Sequence, residues 1–434
     1  MKISGWGQYP VTESTILSPL APSALESVLN HTGTFDGIAR GMGRSYGDSA
    51  LAAQTIDIRA FDWIHEFDAV RGEVCCAAGI TLADLIKVIV PKGWFLPVTP
   101  GTKFVTVGGA LASDVHGKNH HIDGSFCDHL TSFRLMLANG EIVNCSPTEN
   151  DELFRATCGG MGLTGVIIDA SFRLKKIGSA YLDVKQYKAA NLAEAFGLFE
   201  QFNQSTYSVA WLDCLSKGKQ FGRSLVWIGE HKNDRRFDTA EKAPLSVPMD
   251  MPDFLLNHYT MSAFAKAYYN RTQRQYTEKT SHYEPFFYPL DRLHHWNRIY
   301  GKRGFIQYQF VISKAAGLEG MQAILQQIVA SQRGSFLAVL KAFGKGNSNL
   351  LSFPMEGYTL ALDFKLDDNL FGLLDNLDRI VLDHEGKIYL TKDARMSEHV
   401  FKQAYPDWEQ FQTIREAYGA DKVFRSQQSV RLGL

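Results

Sequence analysis

"TENDELFRATCGGMGLTGVIIDASFRL", Thr148 to Leu174, contains a Gly-x-Gly-x-x-Gly run from Gly160 to Gly165, and the elements around that run decide the fold. A dinucleotide-binding turn of the Rossmann type needs a strand before its glycines and a helix after them. Here the order is reversed: a capped helical pattern, "TENDELFRATCGG", comes first, and a long alternating strand, "GVIIDASFRLKKI", follows. The doubly wound parallel sheet is excluded on that order. Just upstream, "SFRLMLANGEIVNCSP" alternates apolar and polar residues on both sides of Asn139-Gly140. That dipeptide accepts the positive φ values of a type I′ turn and predicts a β-hairpin. Residues 20 to 80 alternate helical pieces with short strands, and "TLADLIKVIVPKG" has helical apolar spacing, with Thr81 as its cap and Gly93 near its end.

A chain of 434 residues predicts two domains. A formal net charge of -1 gives no electrostatic reason to expect nucleic acid, and 45% hydrophobic residues argue against disorder, so the expected partner is small or lipidic. Six irregularly spaced cysteines suit neither a disulfide scaffold nor a zinc motif and read as free thiols. "MKISGWGQYP" lacks the apolar region of a signal peptide, and no run reaches the roughly eighteen apolar residues of a membrane span. A cytoplasmic protein is expected, with peripheral membrane contact left open. Aromatic residues become dense after about residue 178, and Lys232 to Pro252 carries prolines and charges that predict a mobile loop. The strand-like runs "RGFIQYQFVI", "YTLALDFKL" and "GKIYLTKDAR" recur with helices between them, as in an antiparallel sheet covered on one face. The fold class is α+β.

"SDVHGKNHHIDGSFCDH", Ser113 to His129, raises the question of a metal through His116, His120, His121 and His129. Gly117 disfavours a helix that would align His116 with His120, and no nearby carboxylate completes a known ligand spacing, so no metal is expected. Two glycine-rich loops precede this run: "ARGMGRSYGDSA" (Ala39 to Ala50) and "PVTPGTKFVTVGGALASD" (Pro97 to Asp114). Neither ends as a Walker loop does. Their backbone N–H groups can still form a nest for anions, and with "CGGMGLTG" three such loops favour one large phosphate-bearing cofactor. On the strand "FIQYQFVI", Gln307 and Gln309 alternate with Tyr308 and so point to one face.

These runs, together with "YLTKDAR", resemble the FAD-dependent decaprenylphosphoryl-β-D-ribose 2′-oxidase family, within the vanillyl-alcohol-oxidase (PCMH-type) flavoproteins. The likeness extends from "SGWG" near the start to "VF" near the end. It implies an FAD-binding domain split between residues 1–178 and 387–434. A substrate domain, 179–386, would be inserted between them, with a mobile loop around 232–280. By resemblance, Gly41, Gly43, Arg44, Ser45, Tyr46 and Gly47 cradle the FAD pyrophosphate. Pro100, Gly101, Thr102, Thr106, Gly108 and Gly109 continue the cofactor wall, and Gly162, Thr164 and Gly165 form the third loop. Relatives with covalent flavin place a histidine about where Arg44 stands, so noncovalent FAD is expected.

The resemblance also implies the catalytic groups: His116 and Lys118 beside flavin and substrate, and Lys392 as cation or proton acceptor, with Tyr389 lining the same pocket. Alcohol oxidation needs such groups, because a hydroxyl proton must leave as a hydride is transferred. Lys118, Trp211, Gln307, Gln309, Lys341 and Phe343 would contact substrate. Mycobacterial members have Asn where Thr359 stands, Cys where Ala361 stands and Tyr where Phe287 stands, all on the substrate wall. The implied reaction oxidises the 2′-hydroxyl of a polyprenylphosphoryl-β-D-ribofuranose to the 2′-keto sugar, the first half of an epimerisation to the arabinose form in cell-envelope polysaccharide biosynthesis. A separate NAD(P)H-dependent short-chain reductase would complete it, quinone or oxygen would accept the electrons, and the inner face of the membrane would be the place of work. Two alternatives stand beside this: an aldonolactone or alditol oxidase acting on a soluble sugar, and a metal-dependent sugar-binding protein that uses the histidines.

Overall fold

In the computed structural model, which describes residues 1–31, 35–239 and 245–434, Thr148 to Leu174 folds in the order its pattern implies. Helix Asp151–Thr157 enters the glycine turn and strand Val166–Arg173 leaves it. That strand is the middle of a five-stranded antiparallel sheet, in the order Ile142–Cys145, Leu130–Met136, Val166–Arg173, Glu73–Ala77, Ile64–Asp68. A three-stranded parallel sheet of Thr15–Leu17, Gln54–Asp57 and Gly37–Arg40 lies beside it in the chain path. Helix Leu82–Ile89 turns a stripe of Leu82, Leu85, Ile86 and Ile89 into the core, and the Thr81 hydroxyl accepts from the Asp84 N–H at 3.1 Å.

The hairpin around Asn139-Gly140 forms, but not through a type I′ turn. Gly140 alone of the two has positive φ, 83°, and its N–H donates to the Leu137 carbonyl while the Leu137 N–H donates to Glu141. A longer loop closed by a glycine bulge therefore joins the strands.

The second sheet has eight antiparallel strands, in the order Tyr276–His282, Tyr181–Ala189, Ser224–His231, Tyr207–Leu212, Ala338–Phe343, Gly357–Lys365, Phe305–Ser313, Lys387–Ile388. Helices Leu192–Gln201, Gly317–Ser331 and Leu370–Asp383 pack against it, their apolar stripes buried. A boundary at 386 cuts this sheet, since Lys387–Ile388 still pairs with Phe305–Ser313. "GKIYLTKDAR" is strand for only those two residues. After them the N–H groups of Lys392 and Asp393 turn back onto the Tyr389 carbonyl, so Lys392 sits in a tight turn rather than at a strand end.

The expected loop around 232–280 is corrected. It contains helix His258–Asn270, capped by Asn257, and the edge strand Tyr276–His282; residues 240–244 lie outside the described residues. The physical reason is burial. Ala265 and Tyr269 pack against Trp211 and Leu225, a long-range contact that local composition does not reveal. Among the described residues, no helix is long and apolar enough to cross a membrane.

Candidate active site

Three loops and one face of the large sheet line a cavity of about 610 Å³. The first loop follows strand Gly37–Arg40 and is held from inside by Arg40, whose guanidinium donates to the carbonyls of Ala50 (3.1 Å) and Ser4 (2.7 Å). From outside it is covered by the N-terminal segment: the Trp6 N–H donates to the Ser45 carbonyl at 2.7 Å, and the Trp6 ring lies 3.9 Å beneath the Arg44 guanidinium. Gly41 is required by the second loop, because a Cβ there would overlap Thr106 Oγ1, which caps its own helix by accepting from the Gly109 N–H. The Gly41 backbone thus packs directly on the Thr106 side chain. The second loop is bolted to helix Tyr283–Phe287 and the turn after it by buried Lys103, whose ammonium donates to Glu284 at 2.6 Å, and by the Lys103 N–H donating to Asp291 at 2.9 Å.

At the other end of the cavity the groups are polar. Thr359 donates its hydroxyl to the Phe310 carbonyl (2.7 Å), so its oxygen accepts from Gln309 Nε2 (3.2 Å), and the second Gln309 N–H goes to His116 Nε2 (2.9 Å). This chain assigns the His116 tautomer: Nε2 accepts, so the ring proton is on Nδ1. Nδ1 is buried and makes no hydrogen bond to the protein. Burial, with Lys341, His120 and Lys392 nearby, holds His116 well below the usual histidine pKa, so it is a neutral donor.

Three lysines share this end. Lys118 donates to the Phe286 carbonyl, with its ammonium over the Phe286 ring. Lys392 lies 3.9 Å over the Tyr46 ring. Burial lowers Lys118 to about 7, Lys341 to about 8 and Lys392 to about 7, with Asp363 opposing the shift at Lys392. Across the whole cavity seven Lys and Arg side chains face one carboxylate, Asp291, an excess that calls for anionic ligands.

Of the residues named from sequence, Gly41, Gly43, Arg44, Ser45, Tyr46, Pro100, Gly101, Thr102, Thr106, Gly108, Gly109, Gly162 and Gly165 line the cavity. So do His116, Lys118, Trp211, Gln307, Gln309, Lys341, Ala361, Tyr389 and Lys392. Four do not. Gly47 is pressed against the Asp393 backbone, and Thr164 is turned inward to Thr157 at 2.9 Å. Phe343 stands behind His116, ring centroids 4.8 Å apart, and Thr359 acts only through Gln309. Among the histidines, His120 Nδ1 accepts from the Gly344 N–H and His121 bonds the Ser205 carbonyl, both as structural supports. No group of three or more His, Cys, Asp or Glu among the described residues could hold a metal.

Sequence reasoning missed Asp363. This buried carboxylate accepts from Gln307 Nε2 at 2.6 Å, and burial raises it to about 7, against the pull of Gln307 and Lys392. The signal was present: Thr359, Ala361 and Asp363 share one strand face, and a carboxylate inside an apolar run is unusual. Trp6, between two glycines, and Asp291 were also passed over.

A cavity lined by the glycine loops, with open space at Gly101, a cationic lining and a buried donor without a protein partner fit a phosphate-bearing flavin. The comparisons agree. Residues 34–146 match the FAD binding domain family model. The chain is 36% identical, over its whole length and 97% of the relative, to decaprenylphosphoryl-β-D-ribose oxidase of Mycolicibacterium smegmatis. It is 30% identical, over 82% of its length and all of the relative, to an uncharacterised protein of Streptomyces coelicolor. With the Delta(24)-sterol reductase of Homo sapiens it shares 33% identity over 22% of its own length and 18% of that protein.

Proposed function

Since the chain belongs to the decaprenylphosphoryl-β-D-ribose oxidase family, we propose that it oxidises the 2′-hydroxyl of a polyprenylphosphoryl-β-D-ribofuranose to the 2′-keto sugar. With its FAD-binding domain it is an FAD-dependent oxidoreductase. The observation that supports this substrate most directly is that the glycine loops and three half-buried lysines line one cavity with neutral His116. Arg44, rather than a histidine, on the first loop supports noncovalent attachment of the flavin.

Bound FAD supplies the hydride acceptor. Lys392, poised near neutrality, takes the hydroxyl proton at Nζ and leaves a fixed cation where negative charge accumulates. Asp363 limits how far burial lowers that lysine. His116 donates from Nδ1 to orient the reacting end, and Lys118 and Lys341 face the monoanionic sugar phosphate. Phe286, Phe287 and Tyr389 exclude water. A separate NAD(P)H-dependent short-chain reductase then completes the epimerisation, and quinone or oxygen reoxidises the flavin, at the cytoplasmic face of the membrane.

The test is anaerobic bleaching of the flavin absorption. Prenylphosphoryl ribose is expected to bleach it rapidly, whereas ribitol and an aldonolactone leave it unchanged. Bleaching by the free sugars alone would replace this reading with a soluble-sugar oxidase.

A further inference from the structure

We infer that the prenyl chain of the substrate lies in a groove that crosses the large sheet from Ala361 to Lys279, beneath helix His258–Asn270. The inference rests on the lipid-linked substrate proposed above and assigns that substrate's tail a site.

Strand register carries the argument. Gln309 lies opposite Ala361, Ala361 opposite Val339, and Val339 opposite Trp211. Two residues along from Trp211, Val209 lies opposite Trp227, which is opposite Gln186. Two residues along again, Val184 lies opposite Lys279 on the edge strand. Directly paired residues of antiparallel strands project to the same side, so this row forms one continuous floor. Ala361, Val339, Trp211, Trp227, Val184 and Lys279 all line the same cavity as Gln309 and His116. From the Gln309 strand to the Lys279 strand is six strand spacings, on the order of 29 Å.

Past Ala361 the floor is apolar until Lys279 except at Gln186, whose amide is taken up by its neighbours: Nε2 donates to the Thr272 hydroxyl (2.7 Å) and Oε1 accepts from the Trp227 indole. The indole N–H groups are used elsewhere, that of Trp211 on the Phe336 carbonyl (2.9 Å) and that of Trp227 on Gln186 (3.0 Å), so neither seeks a partner in the groove. The roof is aromatic as well, with the Tyr268 ring 4.7 Å from that of Trp211. A ribose and its phosphate fill only the inner end. A soluble sugar has no use for the remaining apolar length, whereas a long hydrocarbon attached to the phosphate buries itself along it.

The test is calorimetric titration of the FAD-loaded full chain with polyprenyl phosphate, which carries the tail without the sugar, and with a single-isoprene phosphate. The long chain is expected to bind at least about tenfold more tightly. Val184→Phe, which fills the groove near its outer end, one strand in from Lys279, is expected to reduce that preference and leave the short ligand's affinity unchanged. Val184 is buried, so Trp227→Leu at a half-buried position serves as a second variant, with the same selective loss expected. Equal affinities for the two ligands in the unaltered protein, or equal loss of both in the two variants, would overturn the groove. Tail-dependent binding without flavin bleaching by prenylphosphoryl ribose would uphold the groove and sink the proposed oxidation instead.

Discussion

Thr359→Val tests whether a residue that does not touch the cavity sets the proton of one that does. Valine keeps the shape of threonine and removes Oγ1. Gln309, 3% exposed, then loses the acceptor for one N–H, and the Phe310 carbonyl loses its donor. Two responses are open to the site. Gln309 keeps its orientation with a buried unsatisfied donor, at a cost of about 1–3 kcal/mol. Alternatively its amide rotates and presents Oε1 to His116 Nε2, which moves the ring proton to Nε2 and makes Nδ1 an acceptor. The second response removes one neutral hydrogen bond from the reacting end. At about 0.5–1.5 kcal/mol that is a twofold to roughly tenfold loss in the rate of flavin reduction. Single-turnover anaerobic reduction of the unaltered protein, Thr359→Val and Thr359→Ser measures the rate, and nitrogen NMR of His116 reports the tautomer. Serine restores Oγ1 and is expected to restore both. A Thr359→Val protein with unchanged stability, unchanged rate and the Nδ1–H tautomer would refute the assignment.

Flavin reduction should rise with pH through about 7, as Lys392 loses its proton, and Lys392→Met should abolish that limb along with most of the rate. The half-buried lysines of the cavity also link stability to pH. Lys118, Lys341 and Lys392 are held below the unfolded value of 10.5, so between about 7 and 10.5 the folded chain binds fewer protons than the unfolded one. FAD-free protein should therefore resist urea better at about pH 9 than at about pH 7, and Lys341→Met should narrow the difference. Glu284→Gln removes a carboxylate from the buried Lys103 ammonium; a loss of stability is expected in denaturant unfolding, and Glu284→Asp should recover part of it. Gly41→Ala, which drives a methyl group into Thr106, should lower the flavin-to-protein ratio of the purified enzyme, and acid precipitation of the unaltered protein should release its flavin into solution.

Much of the architecture is local and therefore readable. The helix–glycine–strand order around Gly160 excludes the Rossmann turn because it is a property of neighbours in sequence. Period-two alternation placed Gln307 and Gln309 on one face for the same reason. Local chemistry misled where a residue's role depends on what approaches it. Gly47 and Thr164 sit in loops that line the cavity, yet one meets the backbone of Asp393 and the other a buried threonine. Phe343 belongs to the right strand but stands behind His116.

By itself, then, the sequence determines the α+β class, the three glycine loops, the lack of metal spacing and the candidates His116, Lys118, Lys341 and Lys392. Tertiary structure alone decides which atoms of those residues are available. The proton on His116 Nδ1 is assigned by Thr359, 243 positions away in the numbering, and Lys392 is tuned by Asp363 across a turn and a strand. Lys279 shares a floor with Gln309 only because five other strands lie between theirs. Hydrogen-bond polarity, desolvation and strand register arise between segments distant in the chain, and no window of sequence contains them.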